Sequence, residues 1–245
     1  ALTIGKSPTS ITTGLNSGLV GWWTFDGKDC GATYCVDKSG NNLTATTTVN
    51  RTSRVGKIGQ GQMFNGSTNF LLTPNVSGLS GSAAGSLSCW FKKEAGNSDY
   101  ARVLARGTSA GQNRISLSLG GSGAGSSNGV LLNIENANAT YAYKDNIFSN
   151  NIWYHLVSVF DGSLATDATK LKAYLNGALL SGLTFSGSVP TSLHSVSIPF
   201  GIGRNGGSAD GYFKGIVDDC RIYNRVLSTA EIQQLYKQGG GKISK

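Results

Sequence analysis

From Leu19 onward, short runs in which every second residue is apolar alternate with clusters of Gly, Ser, Thr and Asn. Period-two alternation marks a strand with one buried face, and the intervening clusters are turn formers. The first run, 19–25 (LVGWWTF), stops at Asp26-Gly27. Further strands are predicted near 62–64 and 70–72, then at 87–92 (LSCWFK), 101–105, 115–119, 130–134 and 141–144. The pattern continues at 154–160, 170–175, 197–203 and 216–223. Asn176-Gly177 between two apolar runs predicts a tight hairpin turn, because both residues tolerate positive φ. A helical period occurs once, near the end: Ser228 and Glu231 have capping-box spacing, Ile232, Leu235 and Tyr236 share a face, and glycines follow at 239–241.

An all-β fold with a short C-terminal helix follows. Residues 1–17 read as a polar segment or linker, 18–239 as one domain and 240–245 as a tail. The stretch 27–61 reads as a long loop region, unusual for a compact domain and therefore a place to look for function. The glycine- and serine-rich run 120–129 separates two alternating segments and reads as a hairpin loop.

The chain has 245 residues, enough for one sizeable core, and its 35 glycines suit many turns. No stretch is long and apolar enough to span a membrane. The chain starts at Ala1, which is compatible with removal of an upstream leader and with export. A net charge of +8 favours acidic partners, acidic polysaccharide among them. The basic residues are scattered, however, and only Lys92 and Lys93 adjoin, so a nucleic-acid partner is not expected.

Four cysteines bear on redox compartment. Cys30 and Cys35 flank a short glycine-containing loop and are expected to close a small disulfide. Zinc is the competing reading, weak without a second Cys or His pair nearby. Cys89 and Cys220 each share a strand face with apolar residues, so both thiols are expected to point inward, either paired or as buried free thiols.

The order of motifs resembles a known family. GLVGWWTFD at 18–26, DKSGNN at 37–42 and GKIGQGQMFNG at 56–66 open it. SCWFK at 88–92, WYHLV at 153–157, FDG at 160–162 and YLNG at 174–177 follow in order. FKGIVDD at 213–219, RIYNR at 221–225 and Leu227-Ser228 close it. Together these motifs resemble the concanavalin A-like lectin/glucanase superfamily, laminin-G-like branch. The resemblance implies a jelly-roll β-sandwich of two antiparallel sheets, secreted or on a cell surface, with a structural calcium ion and a glycan-binding or adhesive role.

The calcium site so implied uses Asp26, Asp37, Asn42 and Asp218, which match family positions at the corner of the sandwich. The competing reading makes Asp26 and Asp37 turn residues that bond nearby backbone. Asp218 and Asp219 face opposite sides of a regular strand, so only one of them, Asp218, is expected as a ligand.

Sugars are held by rings stacked on their apolar faces and by planar polar groups that read hydroxyls. Tyr141 and Tyr143 alternate onto one strand face, and Arg102, Arg114 and Asn133, with Glu135 and Asn138, lie on neighbouring strands. They form the candidate glycan surface if that face is outward. Trp23, Phe25, Trp90 and Trp153 are expected in the core, and Trp22 must face the other way. Only three glutamates occur, Glu94, Glu135 and Glu231, none at the spacing of the glucanase pair. His155 is expected to be structural, and no nucleophile motif is present. The expectation is a non-catalytic extracellular carbohydrate-binding module taking a glycan or polysaccharide. Its alternative is a structural or adhesive surface subunit that binds protein partners.

Overall fold

A computed structural model describes residues 14–108, 114–121, 127–135 and 140–240. Most of the 1–17 segment, Asn138, the middle of the 120–129 loop and the tail beyond residue 240 lie outside the described residues. The strands are β1 (Leu19–Trp23), β2 (Tyr34–Cys35), β3 (Ala45–Thr46), β4 (Thr52–Val55), β5 (Gln60–Asn65) and β6 (Leu71–Asn75). Next come β7 (Ala84–Lys93), β8 (Arg102–Arg106), β9 (Ile115–Leu119), β10 (Val130–Ile134), β11 (Tyr141–Lys144) and β12 (Trp153–Asp161). The one-turn helix α1 (Asp167–Lys170) precedes β13 (Leu171–Leu175), β14 (Ala178–Leu179), β15 (Thr184–Ser186), β16 (Pro199–Ile202) and β17 (Lys214–Tyr223). The chain closes with helix α2 (Thr229–Gln238).

These strands form two antiparallel sheets. One has eight strands in the order β14-β13-β12-β7-β17-β5-β4, with β1 also paired to β17; the other has nine, in the order β15-β11-β10-β9-β8-β16-β6-β3-β2. First and last strands therefore lie side by side, as a jelly roll requires. The core between the sheets takes Trp23, Phe25, Phe64, Phe91 and Phe160 from one side, and Leu117, Leu132, Phe200 and Ile202 from the other. Trp23 Nε1 donates to the Leu43 carbonyl at 3.0 Å, which satisfies its polar atom inside that core.

Local rules hold where the pattern was strong. The β13–β14 hairpin turns on Asn176 and Gly177, both at positive φ (50° and 80°). Ser228 accepts from Glu231 N while the Glu231 carboxylate accepts from Ser228 N, which completes the capping box of α2. That helix covers the outer face of the eight-stranded sheet, where Val157, Val159, Tyr223, Ile232 and Leu235 make a second apolar cluster. Trp90 belongs to this outer layer, stacked on Tyr236 at 5.5 Å, rather than to the core between the sheets. Trp153 is half-buried, with Lys92 Nζ 5.4 Å from its ring, so it too lies outside the core. The 27–61 region is not one loop: β2, β3 and β4 extend both sheet edges within it. With two to four residues each, they are too short for alternation to register.

Both cysteine pairs are bridged. Cys30–Cys35 closes five residues of chain, and Cys89–Cys220, whose members pack in the core on adjacent strands β7 and β17, closes 131. Chain entropy makes the long closure the stronger constraint on the unfolded state, at roughly 4–5 kcal/mol against about 2 kcal/mol for the short one. Replacing Cys89 and Cys220 together by Ala is therefore expected to lower unfolding free energy in urea by more than replacing Cys30 and Cys35. Equal losses for the two double variants would contradict this ordering.

Candidate functional site

Two places on the molecule collect polar chemistry. The first is the outer face of the nine-stranded sheet. Ala142 of β11 points into the core, so Tyr141 and Tyr143 stand on the opposite face, half-buried, with ring centroids 6.1 Å apart. Tyr141 is in register with Asn133, and Asn133 with Ser116. Behind the tyrosines, Arg102 Nη1 donates to Asn133 Oδ1 (2.8 Å) and to Ser118 Oγ (2.9 Å), and Ser116 Oγ donates to the same Asn133 oxygen. Asn133 Nδ2 donates to Glu135 Oε1 at 2.8 Å, and Arg114 Nη1 reaches that oxygen at 3.3 Å.

The structure thus brings the five predicted ligand residues to one sheet face but gives them unequal access. Tyr141 and Tyr143 are open on one side, whereas Arg102 and Asn133 are only 3% and 2% exposed and Arg114 is buried beside them. Ser118 accepts from the Arg102 head group, and Ser116 links Ser118 to Asn133 beneath it. Arg102 and Asn133 therefore stiffen the floor of this face, in place of the exposed hydroxyl-reading role expected from their types. Burial, reinforced by the Arg114 charge, pulls the Arg102 guanidinium down to about 9, and burial pushes the Glu135 carboxyl up.

The second place is a cavity of about 620 Å³ on the outer side of the eight-stranded sheet, between β1, β17 and α2. Trp22, Thr24, Asp26, Lys28, Asp218, Asp219 and Gln234 line it, among others. Trp22 points away from the core, opposite Trp23, as alternation demands. Its Nε1 donates to Asp219 Oδ1, and the Arg221 guanidinium lies 4.3 Å from the centre of its ring. Arg221 also donates to Asp219 Oδ1 and to Gln238 Oε1 of α2. Asp29 accepts from Lys38 Nζ at 3.0 Å and from Thr24 Oγ1 at 2.9 Å.

Asp218 and Asp219 both line this cavity, against the expectation from regular strand geometry. The pairing of β17 with β7 shifts register between Asp218 and Arg221, and Asp219 has a φ of 44°. One extra residue in β17 puts both carboxylates on the outer side while Cys220 still faces inward. Sequence alternation had no means of showing that bulge.

Of the four residues matched to a calcium site, Asp26 and Asp218 line the cavity together, whereas Asp37 and Asn42 do not line it. Asp26 and Asp218 grip one turn, Asp26 Oδ1 accepting from Gln60 N (2.8 Å) and Asp218 Oδ2 from Lys57 N and Ile58 N (both 2.7 Å). Asp37 accepts from the backbone N–H of Trp22, Ser39 and Leu43, and organises a different loop. Asn42 is exposed at φ 59° and, with Asp37, does not line the cavity. Among the described residues no group of three or more His, Cys, Asp or Glu side chains is placed to hold a metal ion. Carboxylates directed at N–H donors do not fit a hard cation that needs six to eight oxygens.

A sandwich of two antiparallel sheets, with its first and last strands side by side, defines a jelly-roll class of fold. The chain belongs to the Concanavalin A-like lectin/glucanases superfamily: the laminin G family model of that superfamily matches residues 65–233. No curated protein sequence matches significantly. Among solved structures, the chain is similar to domain 4 of AbnA, a GH43 extracellular arabinanase from Geobacillus stearothermophilus, in complex with arabinotriose. The TM-score is 0.60 at 23% identity, over 89% of this chain and 98% of that one. The binding domain of Paraclostridial Mosquitocidal Protein 1 aligns with a TM-score of 0.66 at 14% identity, covering 91% of this chain and 52% of that one. Trypanosoma rangeli sialidase in complex with sialic acid aligns with a TM-score of 0.61 at 18% identity, covering 90% of this chain but 33% of the sialidase. At these identities the likeness is one of fold.

Burial raises the Asp218 carboxyl to about 7, against an unfolded value of 3.8, although the two turn N–H groups oppose the shift. The native state then holds a proton that the unfolded state has released, so this group costs stability increasingly as pH rises from about 4 to 7. Asp218→Asn removes the cost and leaves an oxygen for the turn. The melting temperature of the variant relative to the parent is expected to climb across that pH window. A difference that stays constant from pH 4 to 7 would sink the assignment.

Proposed function

We propose that the protein is a non-catalytic carbohydrate-binding module that lays a glycan across the outer face of the nine-stranded sheet, against Tyr141 and Tyr143. The observation that carries the reading is the pair of outward tyrosine rings set over a buried, hydrogen-bonded floor. Rings offer an apolar platform for a sugar face, and a floor fixed by Arg102, Ser118, Asn133 and Glu135 keeps that platform from shifting when it is loaded. A similarly folded arabinanase domain whose structure carries arabinotriose supports the ligand class. The surplus of basic residues favours an acidic glycan over a neutral one.

Catalysis has less support. Glu135 is paired with Arg114 and Glu231 with Arg225, where it also caps α2, so each serves a structural partner. Export to the cell exterior belongs to the same reading, since two disulfides suit an oxidising compartment. Among the described residues no helix is long and apolar enough to cross a membrane. The reading includes no calcium dependence, because Asp26, Asp37 and Asp218 are engaged by backbone N–H groups. The second reading, an adhesive or structural subunit, is favoured by the exposed edge strand β4, where Val55 is 82% exposed.

A glycan array that includes arabino-oligosaccharides, sialylated glycans and uronic-acid polymers, run with and without EDTA, tests these points together. Specific binding is expected to persist in EDTA and to weaken at least tenfold in Tyr141→Ala, with no change in the melting temperature beyond about two degrees. Loss of binding on chelation would restore a calcium role. Silence across the array together with ordered self-assembly would favour the subunit reading.

A further inference from the structure

The chain contains four Asn-Gly steps, at 65–66, 128–129, 176–177 and 205–206. Such a step can cyclise on itself, because a glycine has no side chain to keep its backbone nitrogen from the asparagine amide carbon. Cyclisation is helped by a polarised side-chain carbonyl and an acidified glycine N–H, and it needs water to open the ring. Three of the four steps lack one of these. Asn65 Oδ1 accepts from the N–H groups of Ser67, Thr68 and Asn69, yet the Gly66 N–H is itself spent on the Phe213 carbonyl at 3.1 Å. Asn176 Oδ1 accepts from His155 N at 2.9 Å, but among the described residues nothing donates to the Asn176 backbone carbonyl. Asn205 is 0% exposed and its Oδ1 has no donor.

Asn128 is exposed, in the turn that leads into β10, and the Gly129 N–H donates to no acceptor among the described residues. Lys93 ends β7 on the face of Cys89 and Phe91, so its side chain reaches toward the other sheet, and its Nζ donates to Asn128 Oδ1 at 2.7 Å. A donor there stabilises the negative charge that this oxygen gains when the amide carbon is attacked. Lys93 is only 2% exposed, and a second bond to Asn150 Oδ1 holds its amino group in place. The Asn128 backbone carbonyl accepts from Ile147 N at 2.8 Å and from Phe148 N at 2.7 Å. That carbonyl shares a peptide group with the Gly129 nitrogen, so two donors on it favour the deprotonated amide and acidify the Gly129 N–H. Electrophile and nucleophile of one step are thus both activated, by β7 and by the 147–148 segment.

We propose that Asn128-Gly129 is a self-modifying site, at which the folded protein converts asparagine into aspartate or isoaspartate. The Gly129 nitrogen loses its proton to solvent and bonds to Asn128 Cγ, while the Cγ–Nδ2 bond breaks and Nδ2 takes up a proton and leaves as ammonia. Water then opens the cyclic imide at Cγ, giving aspartate, or at the backbone carbonyl carbon, giving isoaspartate. Aspartate gives buried Lys93 a counter-ion in place of a neutral partner. Isoaspartate lengthens the main chain by one carbon directly before β10, the strand paired with Tyr141 and Tyr143.

The test incubates the full chain in mildly alkaline buffer and follows each Asn-Gly step by peptide mapping with tandem mass spectrometry, isoaspartate being read by methyltransferase labelling. Modification at Asn128 is expected to run about tenfold faster than at Asn65, Asn176 or Asn205. In guanidinium chloride, where every step loses its surroundings, the four rates are expected to converge and that of Asn128 to fall. Lys93→Met, which keeps the reach of the side chain and removes the donor, is expected to slow Asn128 about tenfold and leave the other three steps unchanged. If this variant fails to fold, the comparison of native and unfolded parent chain still decides. An Asn128 rate no higher in the native protein than in denaturant, equal native rates at all four steps, or a rate indifferent to loss of the Lys93 amine would each overturn the proposal. So would a product that has lost ammonia and never gains water, the mark of a Lys93–Asn128 cross-link.

Discussion

Everything on the outer side of the eight-stranded sheet depends on one irregularity, the extra residue in β17 between Asp218 and Arg221. This strand is the hub of its sheet, paired with β1, β5 and β7. A regular strand would send Asp218 and Cys220 to the same face. The bulge instead lets Cys220 join Cys89 in the core while Asp218 and Arg221 both point outward, and it does so by placing Asp219 at a φ of 44°, a conformation disfavoured for a side-chain-bearing residue. The two bonds that Asp219 makes to Trp22 and Arg221 offset that cost. The disulfide then pins the bulge from the inner side. Core closure and cavity formation are thus consequences of a single register shift.

The two outer faces solve the problem of buried polarity differently. On the nine-stranded sheet, Arg102, Asn133, Glu135 and Arg114 are drawn from water together, and the chain of hydrogen bonds between them supplies much of what hydration gave up. Such a network rigidifies; it does not demand a ligand, and ligand contact falls to the tyrosines at its edge. In the cavity the network is incomplete at Asp218 Oδ1. Unpaired atoms remain in both places: Arg102 Nε, Arg114 Nε and Glu135 Oε2 on the one face, and Asp218 Oδ1 on the other.

Much of the sandwich was legible in the sequence because its inner faces obey period two: LSCWFK placed Cys89 and Phe91 inward, Asn176-Gly177 placed a hairpin, and Ser228 with Glu231 placed the start of α2. The short strands β2, β3 and β4 were not legible, since strands of two to four residues take their conformation from neighbours rather than from their own pattern. The family match begins at residue 65, yet β1 through β4 complete the same two sheets. Among the site residues, alternation put Tyr141 and Tyr143 on one face, and the strand register adds Asn133 to it. It carried no information on depth, and so gave Arg102, Arg114 and Asn133 an exposure that the structure denies them. Trp22 was visible as an outward residue, but its partners Asp219 and Arg221 were hidden by the bulge.

Asp26 and Asp218 show how two carboxyl groups far apart in sequence can serve one turn. Both carboxylates point at the turn 56–60, and both accept from backbone N–H groups there. A carboxyl oxygen held by N–H donors organises a turn, whereas one serving a cation must turn its lone pairs toward the ion and keep other oxygens, not amides, around it. The turn so gripped carries Ile58, which borders the cavity beside Asp218. Anchoring this loop through Asp218 Oδ2 ties β17 to the turn that borders the cavity.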